Sequence, residues 1–424
     1  MPLTSAHSLL SPADITRTTL PNGIVVLARA NFNSPSVFIS GYLPAGALCE
    51  PDERLGLADF TAAALLRGTR QHDFQQIYDT LESAGASLGF DGGTHFTGFG
   101  GRALSEDLPL LLGLLAEALR YPVFTEAPVE QLRAQLLTGL AIRAQDTESM
   151  ASLAFDQLAY PGHPYSRPDD GYPETVQAIT RLDLAAFHAA HYGPRGLVLG
   201  IAGAVEPARA VELVGEALGD WIHPAQAGMP SLPPAPPLAG MLRRKVEIAG
   251  KSQADIILGA PGPSRRDAGF LAASLGNSVL GQFGMFGRIG KSLRERAGLA
   301  YYASSNLSGG PGPGAWYASA GVDPANVEQA VDLLQQEIAR FVARPVSAEE
   351  LSDSQAHYLG RLPLSLESNA GVVGAMLNME RYDLGLDYYQ RYPALVQAVT
   401  PAQVLETARR FLHPQRLAVA VAGP

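Results

Sequence analysis

At 424 residues, with 46% apolar and 17% charged side chains, the chain is long enough for more than one domain and can bury a sizeable core. Its 41 acidic against 31 basic residues give a formal charge of −10, which argues against nucleic acid or an anionic membrane as the main partner. A single cysteine, Cys49, excludes an internal disulfide and a thiolate metal cluster, and reads as a small buried hydrophobe.

The first residues, MPLTSAHSLLSPADITRTTLPNG, show no basic segment leading into an apolar core, so a signal peptide is not expected. No window approaches the roughly 20 apolar residues of a membrane span, and a cytoplasmic location is the expectation. Gly23 to Arg29 and Val37 to Leu43 read as strands joined by a turn rich in Gly, Pro and Asn. Helical periodicity covers Leu55 to Leu66 and Phe74 to Ala84. Two further strands are expected at Ala86 to Phe90 and His95 to Phe99, with Asp91-Gly92-Gly93 as the turn between them. Several helices follow, one starting near Pro122, before a strand over Leu197 to Ala202.

Pro224 to Pro237 carries six prolines, which cannot continue a helix or pair centrally in a sheet. This predicts a linker over 224–239 between domains at 1–223 and 240–424. The two parts read as copies of one unit. Ala178 to Pro207 and Ala398 to Pro424 each show an N-cap (Thr180, Thr400), an amphipathic helix, a proline stop, an apolar strand and an Ala-Gly ending. Pro122 onward, PVFTEAPVEQLRAQL, likewise matches PVSAEELSDSQAHYL from Pro345. Strands arriving in adjacent pairs favour antiparallel pairing. The fold class expected is therefore α+β: two homologous tandem domains, each a mainly antiparallel sheet backed by helices.

The histidines suggest no metal site from sequence. His188 and His191, three apart on one helix, read as a solvated or capping pair; His95 as a strand residue for packing or substrate contact; His163 as a loop residue. Gly309 to Gly314, GGPGPG, reads as a hairpin connection.

Gly56 to Thr69, GLADFTAAALLRGT, resembles the first zinc-site helix of the M16 peptidases (pitrilysin, insulinase and mitochondrial processing peptidase). There Gly-Leu-Ala is followed by His-x-x-Glu-His, an apolar run and Gly-Thr. The frame stands here as Gly56, Leu57, Ala58, Leu65, Leu66, Gly68 and Thr69, but the chemical positions are Asp59, Ala62 and Ala63. Two imidazoles one helical turn apart hold zinc and the glutamate acts as base; alanine does neither. The family's third ligand is a downstream glutamate in an acidic pair. Counting back from Asp146-Thr147, that pair falls on Gly139 and Leu140, and no acid occurs between Glu130 and Asp146. No His-x-x-Glu-His or its reverse occurs anywhere in the chain.

The second half carries the converse signal. Val279 to Ser305 resembles the family's Gly-rich loop followed by Leu-Arg-Glu-x-x-Gly-Leu-Ala-Tyr, with matches at Gly281, Gly284, Gly287, Arg288, Leu293, Arg294, Glu295, Gly298, Leu299, Ala300 and Tyr301. The resemblance implies that Arg294 and Tyr301 bind the substrate backbone near the scissile bond, beside the zinc of the other half. A guanidinium fork suits carbonyls, and a phenol can donate to a developing oxyanion. Tyr302 is expected on the opposite face of the strand. The glycines imply a loop that touches or admits substrate, or a structural turn; without Gly-Lys-Ser/Thr they do not suggest a nucleotide. Ala86 to Phe99 resembles the strand pair whose edge accepts substrate as an added strand.

The resemblance thus implies a substrate-binding subunit with no catalytic residue or metal of its own. Zinc is expected in a partner subunit of the same family, forming a heterodimer that cleaves peptides. The alternative is a metal-free structural or peptide-binding relative that pairs with itself and has no proteolytic role.

Overall fold

The computed structural model describes residues 10–282 and 287–424. Two sheets form. The first orders its strands β1 (Thr16–Thr19), β2 (Val25–Ala30), β6 (Val198–Gly203), β3 (Ser36–Leu43), β5 (Thr97–Leu104) and β4 (Ser87–Gly92). The second runs β7 (Leu242–Glu247), β11 (Ala418–Gly423), β8 (Ala254–Pro261), β10 (Ala315–Val322) and β9 (Ala300–Leu307). Apart from β1 the two sheets share one topology. β2 pairs in parallel with β6 as β7 does with β11, and every other pairing is antiparallel. The α+β reading with two homologous sheets holds.

The caps read from sequence form as well. Thr180 and Thr400 each accept from the third residue of their helix in a reciprocal capping box. Ser347, in the segment after Pro345, accepts from Glu350 N at 3.1 Å; Asp146, which the sequence reading did not name as a cap, accepts from Ser149 N at 2.8 Å. One strand boundary differs. β4 continues through Asp91 and Gly92, so the turn falls at 93–96 and His95 lies in it, not on a strand. Gly92 is tolerated there because the chain passes close to a helix: an added Cβ would lie 2.4 Å from Asp59 Cα.

One boundary between the compact units falls within the proline-rich stretch, at 231/232, but the units are not simply the two halves of the chain. One comprises residues 10–140, 168–231 and 362–392; the other comprises 141–167, 232–361 and 393–424. Each half of the chain therefore lends one helix to the unit built mainly by the other. In the first unit the helix Asn369–Tyr382 covers β3 and β6, where Val373, Met376 and Leu377 bury against Leu27, Tyr42 and Val198. Gly200 of β6 makes room, since a Cβ there would stand 2.9 Å from Val373 Cγ1. The other sheet face packs Val26, Ala28 and Ile39 against Leu111, Leu115 and Val214. With both faces covered, all six β6 residues are buried, and their apolar run follows from that. In the second unit the helix Thr147–Ala159 covers β7, β8 and β11 in the equivalent way. Burying each Val or Leu side chain contributes about 1.5–3 kcal/mol.

Candidate functional site

In the first unit, the helix Leu57–Ala64 carries the positions that the zinc motif would occupy. Gly56 opens it at φ 92°, and a buried carboxylate caps it: Glu50 Oε1 accepts from Gly56 N at 3.0 Å and Oε2 from Ala58 N at 2.9 Å. Burial pushes Glu50 up to about 8, although those two N–H groups favour its anion. The loop 168–171 packs against this end, with Gly171 at φ 72° and no room for a Cβ beside Leu55 O. It brings Asp169 and Asp170 near Asp59. Asp59 is raised to about 6, first by burial and then by Asp170 and Asp169, against a hydrogen bond from the Gly92 backbone. Asp169, raised mainly by burial, accepts from Thr94 Oγ1 at 2.9 Å. This acidic neighbourhood was not visible in the sequence, where Asp169 and Asp170 lie about 110 residues from Asp59.

Ala62 is 1% exposed and Ala63 is half-buried, one turn beyond Asp59. Gly139 is exposed on the helix Glu126–Arg143, and an added Cβ would meet nothing within 4 Å. That helix is fixed by buried Arg133, which grips Glu130 with both Nε and Nη2 at 2.9 Å, donates to Val176 O and stacks 5.2 Å over the Phe60 ring. Of Asp59, Ala62, Ala63 and Gly139 only Asp59 offers a ligand atom, and zinc needs three or four. These residues do not fit a zinc ion. Among the described residues no group of three or more His, Cys, Asp or Glu side chains is arranged for a metal.

In the second unit, Gly281 and Gly287 pinch the ends of the Gly-rich loop together: a Cβ on Gly287 would lie 2.5 Å from Gly281 Cα, and one on Gly281 would lie 2.8 Å from Ser305 N. Gly284 lies outside the described residues. Arg294 follows, exposed on the π-helical turn Lys291–Arg296. The turn closes on Gly298 at φ 65°, with Leu299 N donating back to Leu293 O at 2.9 Å, and the chain enters β9. Tyr301 stands there 61% exposed on the edge strand. Neither Arg294 nor Tyr301 spends its polar group on another described residue.

Tyr302 behaves differently. Asp255, Gly321 and Tyr302 are cross-strand neighbours on β8, β10 and β9. Because Gly321 has no side chain, the Tyr302 ring lies across it, and Oη donates to Asp255 Oδ1 at 2.7 Å. Asp255 also accepts from Thr147 Oγ1, tying the covering helix to the sheet.

His188 and His163 are held by backbone groups of remote segments. Nε2 of His188 lies 2.9 Å from Leu119 O, and its ring stacks on Tyr192; burial lowers it to about 4, so it is neutral rather than a solvated pair member. His163 lies in a loop, as read, but is buried there: Tyr165 N donates to its Nδ1 at 3.1 Å, and its Nε2 lies 2.9 Å from Pro233 O. Cys49 is partly buried with Sγ 3.5 Å from Met229 Sδ, and burial pushes its thiol up to about 11.

Family models match in two blocks: the insulinase model (peptidase family M16) over residues 25–167, and the model described as peptidase M16 inactive domain over 178–358. An uncharacterized zinc protease of Streptomyces coelicolor is 26% identical over 419 residues, covering 97% of this chain and 90% of that one. The mitochondrial-processing peptidase subunit beta of Bos taurus is 23% identical over 440 residues, covering 99% and 86%. A crystal structure of a peptidase M16 inactive domain from Pseudomonas fluorescens superposes with a TM-score of 0.89 at 25% identity, covering 97% of this chain and 98% of that one. The duplicated topology, the pinched Gly-rich loop and matches along most of the chain lead to one conclusion: the chain belongs to the peptidase M16 family.

Proposed function

We propose that this chain is the non-catalytic, substrate-binding subunit of a two-chain M16 zinc peptidase. A second, zinc-bearing chain of the same family supplies metal and general base, and this chain supplies Arg294 and Tyr301. The observation that carries the reading is the contrast between the two frames that match the family. One presents Asp59, Ala62, Ala63 and Gly139, which lack the ligands and base. The other presents a guanidinium and a phenol, both exposed and uncommitted.

An extended peptide fits this division of labour. Strand β4 lies at the edge of the first sheet, beside the Leu57–Ala64 helix, and offers main-chain groups that pair with an added strand of any sequence. Arg294 would hold a carbonyl of the bound peptide, and Tyr301 would donate to the oxyanion formed when water attacks the scissile carbonyl.

A mixing experiment tests the proposal. The purified chain alone should not cleave a quenched fluorescent peptide, and adding a zinc-bearing M16 chain encoded beside it should give cleavage that neither shows alone. Cleavage by the isolated chain that survives chelation would refute it in favour of a catalytic site in this chain, and no gain on mixing with formation of a stable homodimer would refute it in favour of a peptide-binding or structural role.

A further inference from the structure

An open cavity of about 1080 Å³ lies within the second unit, away from the Arg294 side chain but lined by its own turn. Arg288 and Arg340 line it too, and both are already neutralised. Arg288 grips Glu350 with two 2.7 Å hydrogen bonds, and Arg340 pairs with buried Glu337. Lys291, Arg296 and Arg344 also line it, all exposed, and have no ion-pair partner among the described residues. Among the described lining residues, Asp353 is the one acid without an ion-pair partner.

The turn's geometry explains how two of these charges share a face. In an α-helix, residues five apart diverge by about 140°. Lys291–Arg296 is instead π-helical, so residue i bonds residue i+5, and Lys291 and Arg296 fall one above the other toward the cavity. Stacking like charges one turn apart is unfavourable without a counter-charge. Arg344 faces the same space from the segment after the helix Val327–Ala343. One monovalent anion would leave two of these three charges, two on the turn and one beyond the helix, unmatched.

We propose that this cavity binds a small multivalent anion, bridging Lys291 and Arg296 on the turn to Arg344 across the space. Oligophosphates and tricarboxylates share the required chemistry, since each offers several anionic oxygens to guanidinium and ammonium donors. Because Lys291 and Arg296 flank Arg294, occupancy also braces the turn that presents it. This inference concerns a separate ligand and stands whether or not the subunit reading holds.

Isothermal titration calorimetry on the full chain tests it, with sodium tripolyphosphate in one arm and citrate in the other at matched ionic strength. Saturable one-to-one binding of either anion is expected, and the tighter arm identifies the source. The double variant Lys291→Gln/Arg344→Gln should weaken it by at least roughly tenfold, since each charge-assisted bond lost is worth about that factor. Arg294→Ala should leave it unchanged, which separates this site from the proposed peptide contact. Circular dichroism melts confirm that the variants fold. Absence of saturable heat at millimolar concentrations of both anions, or binding indifferent to the double variant, would overturn the proposal.

Discussion

Tyr302 Oη donates to Asp255 Oδ1 at 2.7 Å across the gap left by Gly321, and this bond decides the fate of two adjacent tyrosines. Asp255 is 1% exposed, and its oxygens also receive Thr147 and Gln253. Tyr302 is therefore a structural donor to a buried carboxylate, while alternation along the strand turns Tyr301 to the other face. Tyr302→Phe should destabilise the fold by about 1–3 kcal/mol, because a buried acceptor loses a donor. Tyr301→Phe should stay within about 0.5 kcal/mol, as an exposed change away from packing. Urea denaturation of both variants measures the contrast.

Gly321 carries the same relationship from the other side. A Cβ there would lie 2.5 Å from Tyr302 Cε1 and 2.7 Å from Gln253 Nε2. Gly321→Ala should push the ring off its bond and cost about 1–3 kcal/mol, the range for forcing an extra carbon into a packed site. Combined with Tyr302→Phe it should add less than the sum of the two, since both changes break one contact. A double-mutant cycle in urea reads the coupling.

Two glutamates that cap helices should give pH dependences of opposite sign. Glu50 is raised from an ordinary 4.5 to about 8, chiefly by burial. Between those values the folded chain keeps a proton that the unfolded chain releases, so this group makes stability fall as pH rises, by up to about 1.4 kcal/mol per pH unit. Glu350 is held down from 4.5 to about 2, chiefly by its hydrogen bonds from Arg288. Its contribution is complete above pH 4.5 and lost as pH falls toward 2. Against wild type, Glu50→Gln should flatten the decline in melting temperature from pH 5 to 8. Glu350→Gln should flatten the loss below pH 4.5. His188, lowered to about 4 by burial, acts against Glu50 in wild type, so the variant difference is the informative quantity.

Much of this architecture is legible in the sequence because local signals and burial agree. Thr180 and Thr400 cap their helices by a bond made three residues away, and GGPGPG falls between β9 and β10 as its turn chemistry requires. The lack of metal donors at Ala62, Ala63 and Gly139 is legible for a similar reason: these residues carry no donor atoms whatever their surroundings. What escapes is set by distant packing. The exchange of the helices Thr147–Ala159 and Asn369–Tyr382 between units leaves no mark at the prolines of 224–237. The turn after β4 slips because Gly92 serves a close approach to Asp59, not a reversal of the chain. Glu50 is an acid before a proline in the sequence; only the fold buries it against the Gly56 and Ala58 N–H groups. His188 reads as a solvated or capping residue and His163 as a loop residue; their burial against Leu119 O and Pro233 O comes from remote segments.

The close fit at Gly92 gives a further test. Gly92→Ala would press a Cβ against Asp59 Cα at 2.4 Å, backbone that cannot step aside. The variant should lose about 1–3 kcal/mol of stability from overpacking. Loosening β4 should also weaken the peptide support proposed for that edge. A raised KM in the mixed peptidase, at temperatures where the variant remains folded, checks the second effect.

The central claim is that this chain serves a zinc-bearing partner through Arg294 and Tyr301. The most direct measurement is kcat/KM for a quenched peptide with a fixed amount of that partner, comparing wild type, Arg294→Ala and Tyr301→Phe at saturating chain. The expected result is unchanged pairing with kcat/KM reduced about 100-fold or more for either variant, as for loss of an oxyanion donor. Cleavage as fast with Arg294→Ala and Tyr301→Phe as with wild type would contradict it.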